Sequence, residues 1–201
     1  RTVRTLLTSC LLSILFYADG AFAIQTTKQS GREAKFGGRI AVSKSSGPRT
    51  FNRLFSFDDQ TTTVTNCLMG MLIRINRQTQ QPEPELAKSW KASPDGRTLT
   101  FSLRPNLKFT DGATLSADDV IFTFQIINDP KITTSFSDLF NIQGRRVEVR
   151  KIDLFTVSFT FPIAYAAAVR LFDGLPILPR PKLEPIYREG KFQQAWNLST
   201  P

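Results

Sequence analysis

The chain has 201 residues, 41% of them apolar and 21% charged, with a formal net charge of +9. That length is ample for a domain with its own core, and the composition is that of a globular protein rather than a disordered one. The chain contains no histidine, which excludes a His-based triad, an imidazole proton shuttle and an imidazole-ligated metal.

Arg1 and Arg4 precede an apolar run over 6–17, which is followed by Asp19-Gly20 and Ala21-Phe22-Ala23. A positive start, a short apolar core and an A-x-A site describe a secretory signal peptide cleaved after Ala23. The run falls short of the ~20 residues that span a bilayer. Leu7-Thr8-Ser9-Cys10 resembles a lipoprotein processing box, but it sits inside the run rather than at its end, so a lipid anchor at Cys10 ranks second. Export follows either way. The chain does not begin with Met, so its extreme start is expected to be missing. Removal of 1–23 would leave Cys67 as the sole cysteine, without an internal disulfide. Its neighbours Leu68, Met69, Met71 and Leu72 predict a buried structural thiol.

Residues 24–36 are polar and aperiodic, and read as a flexible lead-in. Gly37-Gly38 opens a short strand at 39–43, Gly47-Pro48 breaks it, and 49–59 reads as an irregular loop. Val64, Leu68, Met71 and Leu72 recur at near-helical spacing and predict a helix over 61–73. The two prolines of 80–84 make it a linker.

From Pro84 to Asp129 the signals are denser. Ser93-Pro94-Asp95-Gly96 is a turn in which Pro94 presets φ, Asp95 bonds its own backbone and Gly96 accepts positive φ. Residues 97–104 alternate, with Leu99, Phe101 and Leu103 on one face, so a half-buried strand pairs with 89–91 as a hairpin. Asp111-Gly112 marks a second turn. Ser116, followed by Asp119 three residues on and the apolar positions Val120, Ile121, Phe124 and Ile127, predicts a capping box and a helix. Asp129-Pro130 ends that helix by Asn128.

Residues 133–144 read as a loop. Strands at 147–152 and 155–161, the second with Phe155, Val157, Phe159 and Phe161 inward, form another antiparallel hairpin. Pro162 starts a helix that reaches Phe172, and Asp173-Gly174 terminates it. Residues 175–185 carry four prolines and read as extended, with a short helix around 183–190.

Chemistry-bearing constellations are few. Asp58-Asp59 and Asp118-Asp119 are paired carboxylates, but neighbours on a helix point about 100° apart, whereas acid–base work needs convergence on one substrate. Helix capping is the simpler reading, with more room for a binding role at Asp58-Asp59. No P-loop, dinucleotide fingerprint, Cys-x-x-Cys or nucleophile elbow occurs. Arg145-Arg146 and Arg150-Lys151 are scattered surface charge rather than a nucleic-acid footprint. The chain shows no enzyme, no cofactor and no metal site.

Leu86-Ala87-x-Ser89-Trp90, the Pro-Asp-Gly turn, Thr100-Phe101-x-Leu103-Arg104, Lys108-Phe109-x-Asp111-Gly112 and Ala117-Asp118-Asp119-Val120 occur in that order at tight spacing. Together they resemble the signature of extracellular solute-binding protein family 5, the binding proteins of peptide/nickel-type ABC importers. The resemblance covers about 37–201, with departures: Met71 stands where the family usually has Gly, and Arg180-Pro181 replaces its usual Lys-His. It implies an α/β, type II periplasmic-binding-protein-like fold. The chain would supply part of the first lobe, as a mixed sheet with antiparallel hairpins, and the second lobe would lie beyond an amino-terminal fragment. It further implies a periplasmic monomer that binds a peptide or other small solute and delivers it to permease and ATPase subunits. Matched by position, Ser56, Phe57, Asp58 and Asp59 fall on the loop that approaches the ligand. Phe136 and Phe140 fall on a later loop that contributes cleft residues in many members, although satellite core explains these two equally well. An exported enzyme or a chaperone-like module sharing only this α/β portion is the rival reading.

Overall fold

The computed structural model describes residues 37–56 and 58–197. The signal segment with Ala21 and Ala23, Cys10, the lead-in and Phe57 lie outside the described residues. The chain divides into two units, Arg1–Val42 and Ser43–Pro201. In the first, residues 37–42 form no regular structure, and Ile40 and Val42 are exposed. The strand expected at 39–43 is therefore not formed. Its backbone has no ladder partner among the described residues, and a lone strand satisfies none of its own hydrogen-bonding groups.

The second unit begins with a 3₁₀ turn, Arg53–Phe55, and then α1, Asp59–Leu68. The helix expected over 61–73 is shorter at its C-terminal end, because the backbone beyond Met69 is claimed by other segments. The Gly70 carbonyl accepts from Ile177 at 3.0 Å, and those of Met71 and Leu72 accept from Leu86 and Ala87 at 3.0 Å each. A Cβ on Gly70 would lie 2.9 Å from Leu86 Cδ2, so a larger residue there would push the Leu86 side chain aside. Met71, Leu72 and Ile73 are thus buried in extended backbone, while α1 buries Thr61 and Thr65 and leaves Leu68 exposed. Cys67 lies on the open face of α1 and is exposed, which overturns the buried thiol expected there.

Strand β1, Ile73–Ile75, pairs antiparallel with β2, Pro82–Pro84, where a linker was expected. A two-stranded ribbon is all edge, the one sheet context in which prolines cost little. The main sheet holds β3 (Ala87–Ala92), β4 (Thr98–Leu103), β7 (Glu148–Asp153) and β8 (Thr156–Thr160) in the order β3-β4-β8-β7. It is antiparallel throughout, not mixed: two tight hairpins, β3-β4 and β7-β8, are joined by the long connection over 104–147, which returns β8 antiparallel against β4. The only parallel contact among the described residues is the isolated bridge Ile73↔Asp173. Gly96 takes φ +67 and donates to the Ser93 carbonyl at 2.9 Å, as its turn predicts.

Register places Leu99 opposite Phe159 and Phe101 opposite Val157, so one sheet face is continuously apolar. Helix α2, Ala117–Asn128, covers it. Its capping box forms as expected: Ser116 Oγ accepts from Asp118 N–H, and Asp119 accepts from Ser116 N–H at 2.8 Å. Phe101, Phe124, Phe140, Phe159 and Phe172 meet behind the sheet. Ring centroids lie 4.6 Å apart for Phe159–Phe172, 4.7 Å for Phe101–Phe172 and 4.8 Å for Phe124–Phe140. Burial of each ring contributes about 1.5–3 kcal/mol, and each ring pair about 0.5–1.5 kcal/mol more.

Three local expectations change. At the end of the loop expected over 133–144, Asn141–Ile142 pairs with Arg145–Arg146 just beyond it as β5 and β6, with Gln143 and Gly144 at positive φ in the turn. The helix expected after Pro162 is a 3₁₀ turn, Ala168–Phe172, because the Tyr165 N–H is held by the Gly96 carbonyl at 3.1 Å instead of a helical one. Helix α3, Arg180–Arg188, starts before 183 because the Arg180 N–H is held by Asp119 Oδ1 at 2.9 Å. Pro181, in the first turn, has no N–H to waste.

Candidate functional site

The loop ahead of α1 is built by side chains that bond back to the backbone. Asn52, 1% exposed, accepts from Leu54 N–H at 3.3 Å and donates through Nδ2 to the Ala195 carbonyl at 3.2 Å. The next side chain, Arg53, is 5% exposed. Its Nη1 donates to the Ser56 carbonyl at 2.5 Å, and its Cζ lies 5.3 Å from the centroid of the Phe136 ring. Burial pulls the guanidinium below its ordinary pKa, and the Asp58 charge partly opposes this. The Leu54 carbonyl accepts from Ser135 N–H at 2.7 Å. The loop therefore rests on the turn at 134–137, which is itself fixed by Ser137 Oγ donating to the Ile127 carbonyl at 3.2 Å.

Ser56 Oγ donates to the Asp58 carboxylate, whose Oδ1 accepts from Thr61 N–H at 2.8 Å. Asp58 is thus the N-cap of α1. Its carboxyl is held down at about 2, first by the Ser56 hydroxyl, then by Thr61 and by the Arg49 charge. It stays ionised at any physiological pH, a fixed negative charge where the loop meets the helix. Asp59 lies on the outer side of α1 and pairs with Lys44 at 2.5 Å, with 75% of its side chain exposed.

The structure thus brings Ser56, Asp58 and Phe136 together through Arg53, and keeps Asp59 and Phe140 apart from them. Phe136 and Phe140 are 2% and 0% exposed. Phe136 supports the loop from beneath, while Phe140 packs on Phe124 and Phe172 in the core. Neither presents a ring to an open surface. Sequence reasoning missed Arg53, since one arginine in an irregular stretch carries no periodic signal. Asn52 ahead of a short turn was the available hint.

Two cavities lie elsewhere. One, about 400 Å³, is walled by Met69, Leu86, Phe109 and Ile177, with Asp111 and Lys182 among its polar residues. The other, about 630 Å³, is polar, with Arg74, Arg77 and Arg170 beside Glu85 and Asp173. Among the described residues, no group of three or more His, Cys, Asp or Glu is placed to hold a metal ion. None of their helices is long and apolar enough to cross a membrane.

Residues 81–200, more than half of the chain, match the profile described as bacterial extracellular solute-binding proteins, family 5, middle. The chain belongs to that family. A probable ABC transporter-binding protein of Deinococcus radiodurans is 29% identical over 136 residues, covering 65% of this chain and 23% of that protein. The periplasmic alpha-galactoside-binding protein of Rhizobium meliloti is 37% identical over 98 residues, covering 47% of this chain and 14% of the other. Among solved structures, the oligopeptide-binding protein AppA of Bacillus subtilis, in complex with a nonapeptide, superposes with a TM-score of 0.63 at 26% identity. That match covers 77% of this chain and 30% of AppA. This family 5 chain therefore spans less than a third of the length of these relatives. The periplasmic-binding-protein-like fold inferred from its ordered motifs is the fold of AppA.

Within this family 5 chain, Asp118-Asp119 is a structural pair. Asp119 closes the capping box, and Asp118 forms a surface ion pair with Lys151 at 2.8 Å.

Proposed function

We propose that the full-length protein is the extracytoplasmic solute-binding component of an ABC importer, capturing peptides and delivering them to permease and ATPase subunits. The observation that carries this reading is the likeness to AppA holding a nonapeptide. In this reading the protein is exported to the periplasm by a signal peptide ending at Ala23, lipidation at Cys10 being the second route, and it catalyses no reaction. Ser56, Phe57 and Asp58 approach the solute. An ionised Asp58 suits a peptide's ammonium group, whereas the charge of Asp59 is offset by Lys44.

A second reading is favoured by the 37% identity to an alpha-galactoside-binding protein, in which the solute is a sugar. Thermal unfolding of the full-length protein with a peptide pool and, separately, with raffinose decides between them. A bound solute at a hundred times its Kd stabilises the protein by about 2.7 kcal/mol. Stabilisation by peptides alone is the expected result. Stabilisation by raffinose alone selects the sugar reading, and no response to either overturns the peptide reading.

A further inference from the structure

We propose that Arg53 is a positioning residue for solute binding: its buried guanidinium fixes the Ser56–Asp58 loop on the turn that carries Phe136. This rests on the reading that the loop faces the solute.

Four observations converge on the side chain. Arginine is almost never fully buried without partners, yet Arg53 is 5% exposed. The guanidinium bonds the Ser56 carbonyl at 2.5 Å and sits over the Phe136 ring at 5.3 Å. A Cβ on Gly174 would lie 4.0 Å from Arg53 Nη2, so the fork also fits against a third segment. Finally, the group it holds is the start of a relay: Ser56 Oγ bonds Asp58, and Asp58 caps α1 through Thr61. Taking a charge out of water is costly unless hydrogen bonds and charge repay it. Here the hydrogen bond goes to a loop carbonyl, and the ring beneath belongs to a segment more than 80 residues on. Free of Arg53, the Ser56 carbonyl loses its anchor, and the hydroxyl that orients Asp58 moves with it. Lysine cannot replace the arrangement, because an ammonium lacks both the planar face for Phe136 and the fork that spans two contacts.

The test uses the full-length protein with Arg53→Met, which keeps the apolar stem, and Arg53→Lys, which keeps the charge. Hydrogen exchange read by mass spectrometry resolves where protection is lost, and calorimetry with a tripeptide mixture and with raffinose reads affinity. For both variants, exchange over 56–62 is expected to accelerate about tenfold while α2 and β4 keep their protection. Kd for whichever probe the wild type binds should rise about tenfold. If Arg53→Met does not fold, Arg53→Lys carries the test alone. Uniform acceleration through α2 and β4 would show a merely structural role and overturn the proposal. So would Arg53→Lys behaving as wild type, or local acceleration with unchanged Kd. If the wild type binds neither probe, the proposed function falls, and the pattern of exchange still decides whether Arg53 holds the loop.

Discussion

Asp118 and Asp119 are chemically identical neighbours, and the fold gives them opposite weights. Asp119 is 3% exposed; its Oδ2 accepts from Ser116 N–H at 2.8 Å and its Oδ1 from Arg180 N–H at 2.9 Å. Asp119→Ala strands two N–H donors, each costing about 1–3 kcal/mol if left unmet. Against this stands relief of a carboxylate whose pKa burial has pushed above its ordinary 3.8, so the net loss is about 2–4 kcal/mol. Asp118 pairs with Lys151, and their side chains are 36% and 38% exposed. Asp118→Ala should cost no more than about 1 kcal/mol, since exposed ion pairs are screened and contribute little. The two variants, compared by urea denaturation at unchanged m-value, are expected to differ by about 2 kcal/mol. Hydrogen exchange should also show the first turn of α3 loosened only in Asp119→Ala, because only that variant releases Arg180. Equal midpoints within about 0.5 kcal/mol would refute the claim that the buried acceptor, rather than the negative charge at the helix start, is what α2 needs.

Thr123 makes a related prediction. Its Oγ1 accepts from Leu178 N–H at 3.0 Å inside the core, so Thr123→Val should lose about 1–3 kcal/mol in urea denaturation, and Thr123→Ser much less. Gly96 sits at φ +67, with a would-be Cβ 3.4 Å from Ala164; Gly96→Ala should destabilise by about 1–2 kcal/mol and lower Tm. The pH dependence follows from the carboxyl groups. Asp58 is held at about 2 against an ordinary 3.8, so its contribution is complete above 3.8 and is lost as pH falls toward 2. Asp58→Asn should flatten the stability curve across that window. Asp119 is displaced upward, so the native state keeps its proton longer and stability falls as pH rises from 3.8 through the folded value. Asp119→Asn should remove that decline, and a change of the same sign in both variants would contradict the assignment.

The candidate site was less legible than the fold around it. Ser56 and Asp58 were visible as a polar pair ahead of a helical run, and the structure makes one bond the other and cap the helix. Phe136 and Phe140 were equally balanced between cleft and core because their loop carries no periodic pattern. The residues that both rings pack against lie elsewhere in the sequence. Arg53 was invisible because its meaning depends on a ring 83 positions later.

Short-range physics is what the amino-acid order determined unaided. The turn at Gly96, the alternation of Leu99, Phe101 and Leu103, the box between Ser116 and Asp119, and the hairpin ending in Val157 and Phe159 each depend on residues within a few positions. Those features formed where they were expected. The tertiary structure decided every case in which a backbone group had a choice of partner. Gly70 to Leu72 gave up a helical continuation because residues 86, 87 and 177 offered better-placed donors in an apolar setting. Residues 82–84 became a strand because 73–75 lay alongside. Helix α3 began where Asp119 could hold its first amide. A local pattern states which faces are apolar, but an unsatisfied N–H or carbonyl goes to whichever partner the packed chain brings within 3 Å, and only the fold specifies that partner.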